Sequence, residues 1–70
     1  MKNENGLILL NNNIKEHKAF DLFYNDAIFA RYEYDNELKR YQSYVGYLDI
    51  EDVYEIAKNK NDTRRIVWDK

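Results

Sequence analysis

The chain has 70 residues, no cysteine and a formal net charge of −2, and its aromatic residues are seven tyrosines, three phenylalanines and one tryptophan. Without cysteine there can be no disulfide and no thiolate metal centre, which favours a reducing, cytoplasmic setting. The small acidic charge argues against a dedicated nucleic-acid binder, and no apolar run is long enough to cross a membrane. We expect one small domain, residues 1–70, whose aromatic side chains provide much of the core.

The first apolar segment, residues 7–10, is four consecutive aliphatic residues followed by three asparagines. An apolar run this short does not distinguish a buried strand from a helix by its periodicity. We interpret it as a short buried strand, with a helical turn as the alternative.

Residues 14–24 also allow two interpretations. Asn13 could cap a helix over this segment, or the alternation of apolar and polar residues at its end could form a strand. We favour a strand over residues 19–24, followed by a tight turn at Asn25-Asp26. Asparagine and aspartate tolerate the left-handed backbone conformation that two-residue hairpin loops require.

The stretch from residue 27 to residue 48 predicts a β-hairpin around which the other elements pack. It contains five of the seven tyrosines, and its aromatic and β-branched residues alternate with polar ones, as in a strand. With the strand at residues 19–24, it makes a three-stranded meander over residues 19–24, 27–34 and 39–48. One face of the strand at 27–34 is predicted to carry Ile28, Ala30, Tyr32 and Tyr34.

The charged residues that would face each other across this hairpin favour one loop length over another. A two-residue loop would set Arg31 opposite Arg40, and like charges directly opposite each other are destabilising. A four-residue loop over residues 35–38 instead sets Glu33 opposite Arg40. The other cross-strand pairs that it predicts are Phe29 with Tyr44, Tyr32 with Tyr41 and Ile28 with Val45.

Residues 49–59 carry the clearest helix signal. Asp49 is a favourable N-cap, and Asp52 follows at the position that completes a capping box. The apolar residues of this helix recur at helical spacing and form one face, which consists of Ile50, Val53, Ile56 and Ala57.

A final short strand is predicted over residues 64–68.

These elements predict an α+β fold. A small antiparallel sheet, a meander around the hairpin at 27–48, packs against one main helix at about 49–59, and a short strand at 64–68 ends the chain. One short helix covers only one face of such a sheet, so we expect part of the tyrosine-rich surface to remain exposed.

Exposed tyrosines are the candidate binding surface. Tyrosine offers a large contact area and is enriched at protein interfaces, although the same rings could simply form a semi-exposed core. Acidic residues of the helix would form a rim that suits a basic partner. The predicted partner-binding residues are Tyr32, Tyr34, Tyr41, Tyr44, Tyr47, Glu51 and Glu55.

No residues combine into a recognisable catalytic or metal motif. The single histidine, His17, lacks the further ligands of a zinc site, and we expect it to be exposed or to cap a helix. The single serine, Ser43, has no recognisable base or oxyanion hole. We therefore expect no enzymatic activity, no metal and no cofactor.

In its small size, lack of cysteine, tyrosine content and mild acidity, the whole chain resembles accessory proteins of phages and mobile elements. Some of those proteins inhibit host or defence enzymes, anti-CRISPR proteins among them. The resemblance implies a non-catalytic protein-binding module, and a homodimer could also bury the open sheet face.

The alternative is an accessory protein that binds single-stranded nucleic acid on the tyrosine face, because aromatic rings flanked by basic side chains stack with bases. The basic residues that could line such a surface are Arg31, Lys39, Arg40, Arg64 and Arg65.

Overall fold

The computed structural model describes the backbone of residues 2–59 and 63–69 and the side chains of residues 8–59 and 63–69. The elements run α1 (Lys2–Lys15), β1 (Phe20–Tyr24), β2 (Ala27–Asp35), β3 (Arg40–Ser43), β4 (Gly46–Leu48), α2 (Ile50–Lys58) and β5 (Arg64–Trp68). In the described part of the chain, five strands form one antiparallel sheet in the order β4-β3-β2-β1-β5. The predicted α+β class and the C-terminal strand are confirmed, but the described residues include two helices where one main helix was expected.

The core joins the two helices to one face of the sheet. Phe20 on β1 is fully buried, and its ring contacts three others, with centroid distances of 5.3 Å to Tyr32, 5.1 Å to Tyr41 and 5.1 Å to Trp68. The remaining buried apolar side chains come from both helices and from strands β1 and β2, and they are Leu10, Ile14, Leu22, Ala30, Val53 and Ile56.

Helix α1 shows that the strand interpretation of residues 7–10 was wrong. Leu10 and Ile14 lie four residues apart, on one helical face, and both are buried in the core. The segment contains five asparagines and a glycine, which are weak helix formers. Packing of this short apolar face therefore decides the helix, since isolated helices of this length are marginal in water.

The end of α1 is a Schellman-type turn around His17. The N–H of Lys18 donates to the carbonyl of Asn13 at 3.0 Å, and the N–H of His17 donates to the carbonyl of Ile14 at 3.0 Å. His17 has a φ of 55°, in the position where glycine is usual. Its ring stacks on Tyr34 at a centroid distance of 3.9 Å. The exposed, helix-capping role predicted for this histidine is confirmed.

Strand β1 confirms the strand interpretation of residues 19–24, and the turn that follows is the predicted one. Asn25 and Asp26 have φ values of 48° and 68°, which are the left-handed conformations of a two-residue hairpin loop. The ladder between β1 and β2 then shifts, because Leu22 pairs with Ala30 whereas Phe23 pairs with Ile28.

This shift leaves Phe29 as the extra residue of a β-bulge, which interrupts the alternation of the strand. Ile28 was expected to share the buried face of Ala30 and Tyr32. Beyond the bulge it is instead 62 % exposed.

The hairpin between β2 and β3 has the predicted loop length but a different register. The four loop residues are 36–39 rather than 35–38, and the predicted pairs Glu33–Arg40 and Tyr32–Tyr41 do not form. The observed pairs are Glu33 with Gln42, Tyr34 with Tyr41 and Asp35 with Arg40.

The Asp35 side chain explains this register. Its carboxylate accepts the N–H of Glu37 at 2.9 Å and of Leu38 at 3.1 Å, which holds the loop closed while Asp35 itself stays in the strand. Arg40 still faces an opposite charge, but that charge belongs to Asp35 rather than to Glu33. A slip of two residues preserves the alternation, so Tyr34 and Tyr41 still share one face, as predicted.

The predicted third strand over residues 39–48 is divided into β3 and β4 by a turn at Tyr44-Val45, so the pairs predicted for these two residues do not form. The Ser43 hydroxyl donates to the carbonyl of Gly46 at 3.1 Å and accepts the N–H of Val45 at 3.2 Å. Gly46 has a φ of 149°, a conformation that a residue with a Cβ rarely adopts.

Helix α2 has the capping box that its sequence predicts and most of the predicted apolar face. The carboxylate of Asp52 accepts the N–H of Asp49 at 3.1 Å within a capping box. Val53 and Ile56 are buried, whereas Ala57, which was expected on the apolar face, is exposed.

The capping box supports a first prediction. We expect Asp49→Ala to lower the free energy of unfolding by about 1 kcal/mol, because the helix loses its N-cap. Asp49→Asn, which retains a capping oxygen, should remain close to the parent. Urea unfolding followed by circular dichroism measures the stability of both variants. Equal midpoints for Asp49→Ala and the parent would show that Asp49 does not stabilise α2 as its N-cap.

Candidate functional surface

The five predicted tyrosines do not form one exposed face. Tyr32 is 4 % exposed and Tyr41 is 0 % exposed, and both belong to the core. Tyr34 is half-buried under His17. The expectation that Tyr32 and Tyr41 are available to a partner is therefore wrong, because they lie on the sheet face that the helices cover, whereas Tyr34 keeps part of its surface exposed.

Tyr41 has an unusual environment. Its hydroxyl is buried and has no hydrogen-bond partner among the residues that the structure describes. Burial raises the pKa of Tyr41 to about 12, and the neighbouring Tyr34 adds a smaller effect in the same direction. This hydroxyl is a destabilising element of the core rather than a binding group.

The predicted acidic rim lies on helix α2. Glu51 and Glu55 are exposed on α2 and line a shallow pocket with Tyr54 and Lys58. The Lys58 ammonium lies 5.2 Å from the centre of the Tyr54 ring. Neither Tyr44 nor Tyr47 is among the residues that line this pocket. That the acids and the exposed tyrosines form one binding surface stays a prediction.

Three aromatic residues are in contact where β1, β2 and the turn after β3 meet, and the exposed aliphatic residues Ile28 and Val45 adjoin them along the chain. The ring of Tyr24 packs edge-on against Phe29 at a centroid distance of 4.7 Å, and the Tyr44 hydroxyl donates to the carbonyl of Phe29 at 3.2 Å. Tyr44 is 85 % exposed. We call this surface the aromatic corner, and it consists of Tyr24, Ile28, Phe29, Tyr44 and Val45.

Sequence reasoning found only part of the aromatic corner. It placed Phe29 near Tyr44, as cross-strand partners, and the two do meet, although through a hydroxyl and a backbone carbonyl. It also paired Ile28 with Val45, but it did not predict that Ile28 is exposed, because the bulge that turns Ile28 outward has no signal in the residues themselves. Tyr24 was not included in the predicted surface.

The sheet ladder is incomplete beside the aromatic corner. Strand β3 pairs with β2 only at residues 33–35, before the chain turns away at Tyr44-Val45. Within the described ranges, residues 27–32 of β2 pair with β1 alone. This stretch is therefore an open edge inside an otherwise continuous sheet.

The sheet face opposite the helices, the open face, is dominated by charge. Arg31 forms a two-pronged contact with the Asp69 carboxylate, with one pair at 3.1 Å, and lies 3.4 Å from Asp21 and 3.7 Å from Glu33. The hydrogen bonds with Asp69 raise the pKa of Arg31 and lower the pKa of Asp69. Three carboxylates thus surround one guanidinium, which leaves the centre of this face negative.

Two aromatic rings on the open face are covered by arginines. The guanidinium carbon of Arg40 lies 3.8 Å from the centre of the Tyr47 ring, and that of Arg65 lies 5.5 Å from the centre of the Phe23 ring. These cation–π contacts occupy the ring faces.

Among the residues described, no three histidine or acidic side chains group closely enough to hold a metal ion. Nor does any described helix have the length and apolar character needed to span a membrane.

Comparison with known proteins found no matching family model, no matching curated protein and no matching solved structure. The geometry of the chain itself therefore carries the functional argument.

Proposed function

We propose that this protein is a non-catalytic protein-binding module and that the aromatic corner is its principal contact surface. The observation that carries the proposal is the cluster of exposed aromatic and aliphatic side chains on a rigid sheet. Contiguous apolar groups on a small protein mark interaction sites, and tyrosine and phenylalanine are enriched in the cores of interfaces. The corner retains Tyr44 from the predicted site and adds Ile28 and Phe29.

We further propose that the module acts in the cytoplasm as an accessory protein of a phage or mobile element, and that it inhibits a host or defence enzyme by occupying a surface of that enzyme. The compositional resemblance to such accessory proteins supports this part of the proposal. Inhibition by occlusion needs only a stable surface, which a small sheet supported by two helices can provide.

Single-stranded nucleic acid is the second candidate ligand. Stacking of bases needs free aromatic faces beside basic groups, but Arg40 and Arg65 already cover Tyr47 and Phe23. The carboxylates around Arg31 also oppose a phosphate backbone. These contacts favour a protein partner.

The binding prediction compares the parent protein with one variant inside the aromatic corner and one control variant outside it. The parent protein, the double variant Ile28→Ser/Tyr44→Ala and the control Leu38→Ser would each be immobilised and incubated with a bacterial lysate. Leu38 is an exposed aliphatic residue in the 36–39 loop, outside the aromatic corner. We expect a protein that the parent and Leu38→Ser retain, with about tenfold weaker retention by the double variant, as for residues central to an interface.

Equal retention by all three proteins would place the binding surface elsewhere. The retained protein, once purified, should lose its own activity when the parent is added and keep it when the double variant is added. For the second candidate, binding of labelled oligonucleotides at low salt that weakens steeply as salt rises would support nucleic acid instead.

A further inference from the structure

The incomplete ladder beside β2 suggests how a partner is held. We infer that the open edge of β2, residues 27–31, receives an extended segment of the partner protein as an additional strand. The inference rests on the proposed protein-binding function and specifies the form of the partner. The apolar side chains of that segment lie against the aromatic corner, and a basic side chain at its end lies beside Glu33 on the open face.

The backbone supplies the first argument. A sheet edge presents N–H and C=O groups that are ready to pair with another chain, and natural proteins usually protect such edges with short strands or charged residues. The two outer edges of this sheet follow that rule, since β4 has three residues and β5 begins with two arginines. Residues 27–30 of β2 read Ala-Ile-Phe-Ala and carry no charge, so the bulge at Phe29 is the feature that interrupts this edge.

The Tyr44 hydroxyl supplies the second argument. It donates to the carbonyl of Phe29. In a complete sheet this carbonyl would instead accept the backbone N–H of a neighbouring strand. Because the Tyr44 side chain is 85 % exposed, few other contacts keep it in this position. A partner N–H can therefore take its place at that carbonyl while the Tyr44 ring moves aside and packs on the incoming segment.

Charge supplies the third argument and specifies the occupant. Asp21, Glu33 and Asp69 surround the single guanidinium of Arg31 on the open face. Glu33 is mostly exposed and lies farthest from that guanidinium. Of these carboxylates, Glu33 lies on β2 itself, next to the open stretch, so a lysine or arginine at the end of the added strand nearest β3 would lie beside it, on the face that alternate side chains share.

The test uses a displayed library of random ten-residue peptides, selected against the full chain, followed by synthesis of the enriched peptides. We expect enrichment of sequences in which apolar residues recur at every second position and a basic residue lies toward one end. Bound peptide should slow hydrogen exchange at the amides of residues 27–31. Methylation of those peptide amides that face β2 should weaken binding about tenfold, through the loss of backbone hydrogen bonds. Methylation of the intervening amides, which face away, is the matched control.

The substitution Tyr44→Phe gives a readout with a defined sign. It keeps the ring and removes only the hydroxyl that competes for the Phe29 carbonyl. We expect peptide affinity to stay equal or to rise by up to about tenfold. A clear loss of affinity would show that the hydroxyl itself contacts the peptide, which contradicts the inferred displacement.

The remaining outcomes separate this inference from the proposed function. If enriched peptides bind the aromatic corner but tolerate methylation of either set of amides, the added strand is wrong and the binding surface stands. If no peptide is enriched, or exchange slows elsewhere, the inference is overturned. The lysate experiment with Ile28→Ser/Tyr44→Ala then judges the proposed function separately. If light scattering shows a dimer, and exchange at residues 27–31 slows as the protein is concentrated, a second copy of this chain occupies the edge instead.

Discussion

Replacing Phe20 by alanine should unfold most of the protein at room temperature. Phe20 is fully buried and contacts the rings of Tyr32, Tyr41 and Trp68. Loss of a buried phenylalanine costs about 3–5 kcal/mol, and a core in a chain of this size supplies about the same net stability. The variant should therefore show lost ellipticity and poorly dispersed amide signals in NMR spectra.

The matched control is Phe29→Ala. Phe29 is the extra residue of the bulge and is partly exposed, so its removal should cost far less than that of Phe20. Thermal unfolding of the two variants side by side measures the difference. A Phe20→Ala protein that melts cooperatively near the temperature of the parent would show that the core is not centred on this ring.

The second large effect is a loss of stability in alkali that depends on Tyr41. The pKa of Tyr41 is raised to about 12 in the folded protein, whereas an unfolded tyrosine has a pKa of about 10. Between these values the unfolded chain has released the Tyr41 proton and the folded protein has kept it. The unfolded state then binds fewer protons, so the stability falls as pH rises. We expect this group alone to remove about 2 kcal/mol by pH 12.

Tyr41→Phe isolates this contribution. The phenylalanine ring keeps the packing, and it removes a buried hydroxyl that lacks a partner, so the variant should equal or exceed the stability of the parent at neutral pH. Its advantage over the parent should grow between pH 10 and pH 12. The control Tyr47→Phe, at a ring that is 51 % exposed, should follow the parent. Urea unfolding at several pH values measures all three, and parallel curves for Tyr41→Phe and the parent would refute the burial of this hydroxyl.

The parts of the fold that could be predicted are those governed by local interactions. Helix α2 begins at its aspartate cap and buries the apolar residues that recur at helical spacing. The turn at Asn25-Asp26 adopts the left-handed conformations that its residue types tolerate. In both places a few neighbouring residues determine the conformation, so the sequence is sufficient.

The register of β2 and β3 was only partly predictable. Opposite charge across from Arg40 was the correct criterion, but Glu33 and Asp35 both satisfy it. The side chain of Asp35 decides between them by accepting two N–H groups of the loop. An alternating strand with two acids two residues apart is consistent with either register.

The amino-acid sequence by itself determined the class of the fold, the cap and apolar face of α2, the tight turn before β2 and the strand at the C terminus. Only the tertiary structure decided that residues 2–15 form a helix, that Tyr32 and Tyr41 are enclosed, that Ile28 is exposed, and that Phe29 and Tyr44 meet at an exposed corner. The physical reason is the range of the interactions. Caps and turns act between near neighbours, whereas the burial of a ring and the position of a bulge depend on which distant strand or helix packs against it.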